Sequence, residues 1–314
     1  MESRSFGITT IDTGYGGRPQ FCAAYLVVQD GRAAFIDCGS NDSVPRMLAA
    51  LDAQGLAPDA VDWLVLTHVH LDHAGGAGTL MRALPNARLV VHPRGAPHMV
   101  DPSKLVAGAT AVYGEAEFAR SYGTLLPVPR ERVVEAADGH VVDLAGRPLL
   151  CADTPGHARH HIAVWDAASR SWFSGDIFGL SYREFDTARG AFIVPTTSPV
   201  QFDPDEMRAS IRRMMAADPA AVYLTHYGRV DEVQRLGSDL LEQVDAMVAL
   251  VRDCAGDPAR HARLVEALTA LFVERARLHG VADAQARVPH LLALDIELNA
   301  QGLEVWLDRG QSRP

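Results

Sequence analysis

The chain contains no apolar run approaching the ~18 residues a membrane-spanning helix needs, although 48% of its 314 residues are hydrophobic. Basic charge is also scarce. Lys and Arg number 29 against 39 Asp and Glu, a formal charge of −10 that repels a phosphate backbone. Neither nucleic acid nor a membrane is therefore expected as a partner. Cysteine occurs only at Cys22, Cys38, Cys151 and Cys254, always singly and never in CxxC spacing. Such thiols are expected to be buried and reduced rather than bridged or ligating. The opening residues, MESRSFGITTIDTG, hold no apolar core of signal-peptide length, so the protein is expected in the cytoplasm.

Against this ordinary background one stretch stands out, residues 63–76, WLVLTHVHLDHAGG. An apolar run of strand length, Trp63 to Leu66, ends abruptly and is followed by His68, His70, Asp72 and His73. Placed just past a strand, these side chains fall on a loop at a sheet edge, where functional sites concentrate. Neutral imidazole nitrogens and carboxylate oxygens are ligands for zinc and similar divalent ions. If the backbone stays extended, alternate residues His68 and His70 point the same way, while Asp72 and His73 turn toward a second position. One metal would leave some of the four idle, whereas two would use them all. The competing reading is a histidine-rich surface turn, with Asp72 capping a helix from Ala74 to Leu84. Gly75, Gly76 and Gly78 permit a close backbone approach at that helix's start, which a purely solvated helix would not need.

Around this stretch, strands are expected at Phe6–Ile11, Cys22–Val28 and Ala33–Ile36, with Asp30-Gly31 as a tight hairpin turn. A helix from Val44 to Gly55 leads to the central strand, and Leu89–His92 is another strand. A second group of strands is expected at Val133–Glu135, His140–Val142, Pro148–Ala152, His161–Trp165 and Trp172–Phe173, then Ala221–Leu224. This order fits a four-layer αββα sandwich, two sheets face to face with helices outside. Beyond His226 the pattern turns helical, over Asp231–Arg252, Asp257–His279 and Ala284–Ala300. We divide the chain at residues 1–232, a catalytic domain, and 233–314, a helical C-terminal extension. The extension's apolar faces would serve equally to pack two copies into a homodimer.

The HxHxDH pattern of His68, His70, Asp72 and His73, with Thr67 before it and Gly75-Gly76 after it, resembles the signature of the metallo-β-lactamase-fold hydrolases. His157 in TPGHARHH, Asp176 in WFSGD and His226 in YLTHYG follow in the order expected of that family. The likeness covers about residues 7 to 230 and is nearest to the glyoxalase II-like branch. It implies that His68, His70 and His157 hold one cation and Asp72, His73 and His226 another, with Asp176 bridging. It further implies that Asp37, at the end of the third strand, is a hydrogen-bond partner behind the metals. His161 matches the second histidine of a TPGHxxGH variant, while His160 stands where glycine is usual; both are expected to support the ligands rather than join them.

The activity this resemblance implies is metal-assisted hydrolysis of a small ester, thioester or lactone. Two divalent ions per chain, zinc first and iron or manganese as alternatives, would bridge a hydroxide, since a metal lowers the pKa of water from 15.7 toward about 7. Asp72 would orient that nucleophile or pass a proton to the leaving group. The loop after Asp176, with Phe178 and Tyr182, is the expected place for contacts to a small-molecule substrate. Lactone-cleaving members carry a tyrosine three residues past the bridging aspartate, where this chain has Gly179. The alternative activity is that of the persulfide dioxygenases of the same fold, which use a single iron.

Overall fold

The computed structural model describes residues 6–311. Among these residues, twelve strands form two six-stranded sheets. The first holds β1 (Ile8–Asp12), β2 (Ala23–Gln29), β3 (Arg32–Ile36), β4 (Val61–Val65), β5 (Arg88–Val91) and β6 (Val133–Glu135), in that spatial order. The second holds β7 (Val141–Leu144), β8 (Arg147–Asp153), β9 (Ile162–Asp166), β10 (Ser171–Gly175), β11 (Ala221–Leu224) and β12 (Gly228–Val230), also in sequence order. The expected hairpin joins β2 to β3 through Asp30 and Gly31, with φ of 47° and 75°, the left-handed pair that matches the strands' twist. β1 starts at Ile8 rather than Phe6, because Phe6 and Gly7 have φ of 46° and 66° and cannot extend the strand.

Alternation along the strands builds the layers. In β3, Ala34 and Ile36 face Leu149, Val164 and Phe173 of the second sheet, while Ala33 and Phe35 face outward onto Met47, Leu64 and Leu80. The outward face is covered by α1 (Val44–Ala53), α2 (Leu71–Ala74), α3 (Ala77–Ala83) and α4 (Ala96–Val100). The second sheet turns Ala152, Trp172, Val222 and Leu224 toward helices of its own. A peripheral pair, α5 (Ser103–Tyr113) and α6 (Glu115–Tyr122), packs Phe118 and Tyr122 beside Leu71. The result is the four-layer sandwich expected.

On the second sheet lie α7 (Pro204–Ala216), α8 (Val233–Asp253), α9 (Arg260–His279), α10 (Ala284–Leu291) and α11 (Ala293–Gln311). The start of α7 is set by Asp203, whose side chain accepts from the backbone N–H groups of Asp205 and Glu206 at 3.0 and 3.1 Å, with Pro204 following. Leu236, Leu240, Phe272 and Leu303 of the last helices share one apolar cluster with Trp172 and Val222 of the sheet. The expected helix over 284–300 breaks at Leu292 and resumes to Gln311. Among the described residues no helix is long and apolar enough to cross a membrane. All four cysteines are free and buried, as expected.

The helix expected over 74–84 is instead α2 and α3, separated at Gly75-Gly76. Asp72 caps neither. The cap positions are His70 and Gly76, without side-chain bonds, and Asp72 sits inside the first turn of α2. Tight packing explains the glycine: a Cβ at Gly78 would lie 1.9 Å from the Leu126 carbonyl oxygen.

Candidate metal centre

β3 and β4 are parallel neighbours in the first sheet, and β10 and β11 in the second, so their C-terminal ends open onto one edge of the sandwich. Asp37 follows β3, His68 to His73 follow β4, Asp176 follows β10 and His226 follows β11. His157 comes from the loop between β8 and β9. The two edges are tied together by backbone bonds, Ala23 N–H to Thr225 O and Ile162 N–H to Thr67 O, both 2.7 Å. Every ligand the motif suggested therefore converges on one place.

Hydrogen bonds decide which nitrogen of each ring stays bare. A backbone carbonyl can only accept, so His157 donates Nδ1–H to Thr196 O at 3.1 Å and His226 donates Nδ1–H to Phe21 O at 2.9 Å. His73 gives its Nδ1–H to Asp37 Oδ2 at 3.1 Å. Thr67 donates its hydroxyl to the same Asp37 oxygen at 2.8 Å and so accepts from His68 Nδ1 at 3.2 Å. In all four histidines Nε2 carries a lone pair pointing inward.

Those lone pairs gather in two groups. His68 Nε2 and His157 Nε2 lie 2.9 and 3.1 Å from His70 Nδ1, with Asp176 Oδ2 3.9 and 3.4 Å from the first two. Burial, and the rings' mutual repulsion, keep His68 and His70 neutral far below the usual histidine range, and burial lowers His157 too. His70 Nδ1 can donate to only one of the His68 and His157 nitrogens, and a cation between the three would satisfy all of them. In the second group, His73 Nε2 is 3.4 Å from Asp72 Oδ2 and 3.2 Å from Asp176 Oδ1, while His226 Nε2 is 3.3 and 3.7 Å from the same oxygens. His73 Nε2 and Asp176 Oδ1 are buried without any hydrogen-bond partner.

Both groups fit a divalent metal. Each has donor atoms within 4.8 Å of one another, three histidines with Asp176 in one, His73, Asp176 and His226 in the other. Burial opposes protonation of the second group, but Asp176 and Asp72 make its nitrogens more basic, raising the pKa of His73 well above the histidine range and that of His226 to about 9. Asp176 presents one oxygen to each group, the arrangement a bridging ligand requires.

Asp37, His161 and His160 lie around these two groups. Asp37 also accepts Thr67 N–H at 2.8 Å, so one buried carboxylate fixes both the His68 and the His73 side of the loop. His161 accepts Asp176 N–H on Nε2 at 3.1 Å and bonds Thr154 Oγ1 through Nδ1 at 2.9 Å, which holds the backbone of Asp176. His160 is buried near His68 and His70 but belongs to neither ligand group.

The substrate contacts expected from the following loop need correction. Phe178 is 0% exposed and packed in the core beneath the second sheet, so it offers no surface to a small molecule. Tyr182 is 1% exposed, its ring stacked 5.2 Å from that of Phe21, which meets His226 edge-on at 5.6 Å. The Arg18 guanidinium lies 4.7 and 4.6 Å from the Phe21 and Tyr182 ring centres. Two neighbours escaped the sequence reading. Asp295, from α11, meets Tyr182, and Cys22 approaches Asp72 and His226. Neither lies in a motif, and the sequence carries no signal for them.

The description "Metallo-beta-lactamase superfamily" is that of the family profile matching residues 17–226. The chain is 27% identical over 228 residues to the metallo-beta-lactamase fold-containing protein ST1585 of Sulfurisphaera tokodaii, covering 71% of this chain and 79% of that one. The ST1585 crystal structure overlays 95% of this chain and 98% of its own with a TM-score of 0.67 at 23% identity. The metallo-beta-lactamase family protein TTHA1429 of Thermus thermophilus gives 0.68 at 18% identity, over 97% and 94% of the two chains. A hydroxyacylglutathione hydrolase of Xanthomonas euvesicatoria is 30% identical over 188 residues, 59% of this chain and 54% of that enzyme, so the match spans about half the enzyme's length.

Proposed function

The chain belongs to the metallo-beta-lactamase superfamily, and from that premise we propose that it is a hydrolase of small esters, thioesters or lactones, working with two divalent cations. The observation that carries this reading is Asp176, whose two oxygens face two separate groups of bare histidine nitrogens. His68 Nε2, His70 Nδ1 and His157 Nε2 would hold one ion; His73 Nε2, His226 Nε2 and Asp72 the other. Ions bound there supply Lewis acidity, which polarises a carbonyl and makes water acidic enough to attack near neutral pH.

The protein's own part is orientation and proton handling. Asp37 and His161 fix the ligand rings and the Asp176 backbone before any substrate arrives. Asp72 keeps its side chain 25% exposed, and although burial opposes ionisation, His73 and His226 hold its carboxyl well below the usual carboxylate range. An ionised carboxylate open to solvent would orient the attacking water by accepting its hydrogen bond, and would relay the released proton toward a leaving thiolate or alkoxide without holding it. Relatives named hydroxyacylglutathione hydrolase support cleavage of an acyl bond. The net charge of −10 supports a small-molecule substrate over nucleic acid.

Elemental analysis of protein purified without added metal, followed by a panel of thioesters, lactones and phosphodiesters, tests the proposal. Two equivalents of zinc, manganese or iron and chelator-sensitive hydrolysis are expected. One iron, with oxygen uptake on a persulfide and no hydrolysis, would replace it with the dioxygenase reading.

A further inference from the structure

The pocket of Asp72 and His226 has a sulfur atom on its border. Cys22, immediately before β2, places its Sγ together with a carboxylate oxygen of Asp72 and a ring nitrogen of His226, all within 4.8 Å of one another. Its thiol donates to the Asp72 backbone carbonyl at 3.4 Å. Cys38 also bonds backbone carbonyls, of His73 and Gly39, and Cys151 lies between the sheets, but among the described residues neither they nor Cys254 joins a ligand group. Independently, the buried and unpartnered His73 Nε2 and Asp176 Oδ1 aim into the same pocket, beside Asp72 Oδ2 and His226 Nε2.

We propose that Cys22 is a ligand of the second cation, so that one pocket of this centre is nitrogen and oxygen only and the other contains sulfur. This rests on the reading that the centre binds divalent metal. On binding, the S–H bond breaks, a metal–sulfur bond forms and the proton leaves to solvent. Charge favours the step. Two divalent ions bring +4 into a buried site where Asp72 and Asp176 supply −2, and a thiolate brings the ligands to −3. Thiolate is a soft donor, so the pocket favours zinc or cobalt over manganese.

Cobalt(II) titration of the metal-free protein tests this, because a thiolate–cobalt bond adds a near-ultraviolet charge-transfer band that imidazole and carboxylate do not. The expected result is two cobalt ions bound, with the band, and in Cys22→Ser the same two ions without it and at least a tenfold loss of zinc preference over manganese. Two ions bound without the band, or a band that persists in Cys22→Ser, overturns the proposal and leaves the hydrolase reading intact. No cobalt bound at all sinks both. Should Cys22→Ser fail to fold, zinc-edge X-ray absorption on the unaltered protein decides: a Zn–S distance near 2.3 Å supports the ligand, and a shell of nitrogen and oxygen only refutes it.

Discussion

Tyr182 donates its hydroxyl to the carboxylate of Asp295, 3.1 and 3.3 Å from its two oxygens, which ties the loop after Asp176 to the start of α11. Burial pushes the Asp295 carboxyl up to about 6, with His226, Tyr182 and Arg18 pulling the other way. The folded protein thus keeps a proton where the unfolded chain, titrating near 3.8, has lost it. Stability from this group is complete below pH 4 and falls away as pH rises to about 6. Asp295→Asn keeps an acceptor for Tyr182 and removes the buried charge. In metal-free protein it should stabilise by about 1–2 kcal/mol at pH 8 and by nothing near pH 4, read from melting temperatures at both.

Asp37→Asn tests what orients His73. Asp37 has a φ of 57°, which Asn tolerates, so the backbone should stand. An amide nitrogen at the Oδ2 position, however, cannot accept from His73 Nδ1. His73 then carries its proton on Nε2, the atom meant for the metal. Affinity for the second equivalent should drop about 10- to 100-fold while the first changes less, measured by competition with a chromophoric chelator.

Acid should empty the two pockets in order. Burial keeps His68, His70 and His157 neutral below the usual range, so few protons compete for the first pocket. The reverse holds for His73 and His226, which neighbouring carboxylates make more basic, His226 to about 9. Dialysis across pH 8 to 5, followed by elemental analysis, should show two ions falling to one before the last is lost. Simultaneous loss of both would mean that the pockets do not titrate separately.

How much of this the chain announces depends on the range of the interactions. β3 and its hairpin are local: alternation and an Asp-Gly turn define them without help from elsewhere. His68 to His73 are legible because a strand end and four donors are contiguous, and His157, Asp176 and His226 because each ends a similar strand. Gly75-Gly76 hid a helix break, since the close approach to Ser40 that sets it comes from another loop. Phe178 reads as a loop aromatic until the helices of the extension cover it. Asp295 and Cys22 are ordinary residues in their own segments, and only tertiary folding across 113 residues, for Asp295 and Tyr182, or 50, for Cys22 and Asp72, gives them partners.

The buried ion pair far from the site offers a stability test with a built-in control. Arg147, at the start of β8, forks onto Asp166 at the end of β9, Nε to Oδ1 at 3.0 Å, and donates to Phe6 O at 2.6 Å. Burial works against the Asp166 charge, but Arg147 and Ser169 more than offset it and hold the carboxyl below its usual range. Stability from Asp166 is therefore present above pH 4 and lost in more acidic solution. Arg147→Met leaves a buried carboxylate without its cation and should cost about 3–5 kcal/mol at pH 7 by urea unfolding. The loss should shrink toward pH 4, where Asp166 takes up a proton. Adding Asp166→Asn, whose single oxygen still accepts from either Ala168 or Ser169 though not from both, should restore at least half of it at pH 7. If the double variant is no more stable than Arg147→Met alone, the loss comes from missing packing and the Phe6 contact, and the stranded charge is not its cause.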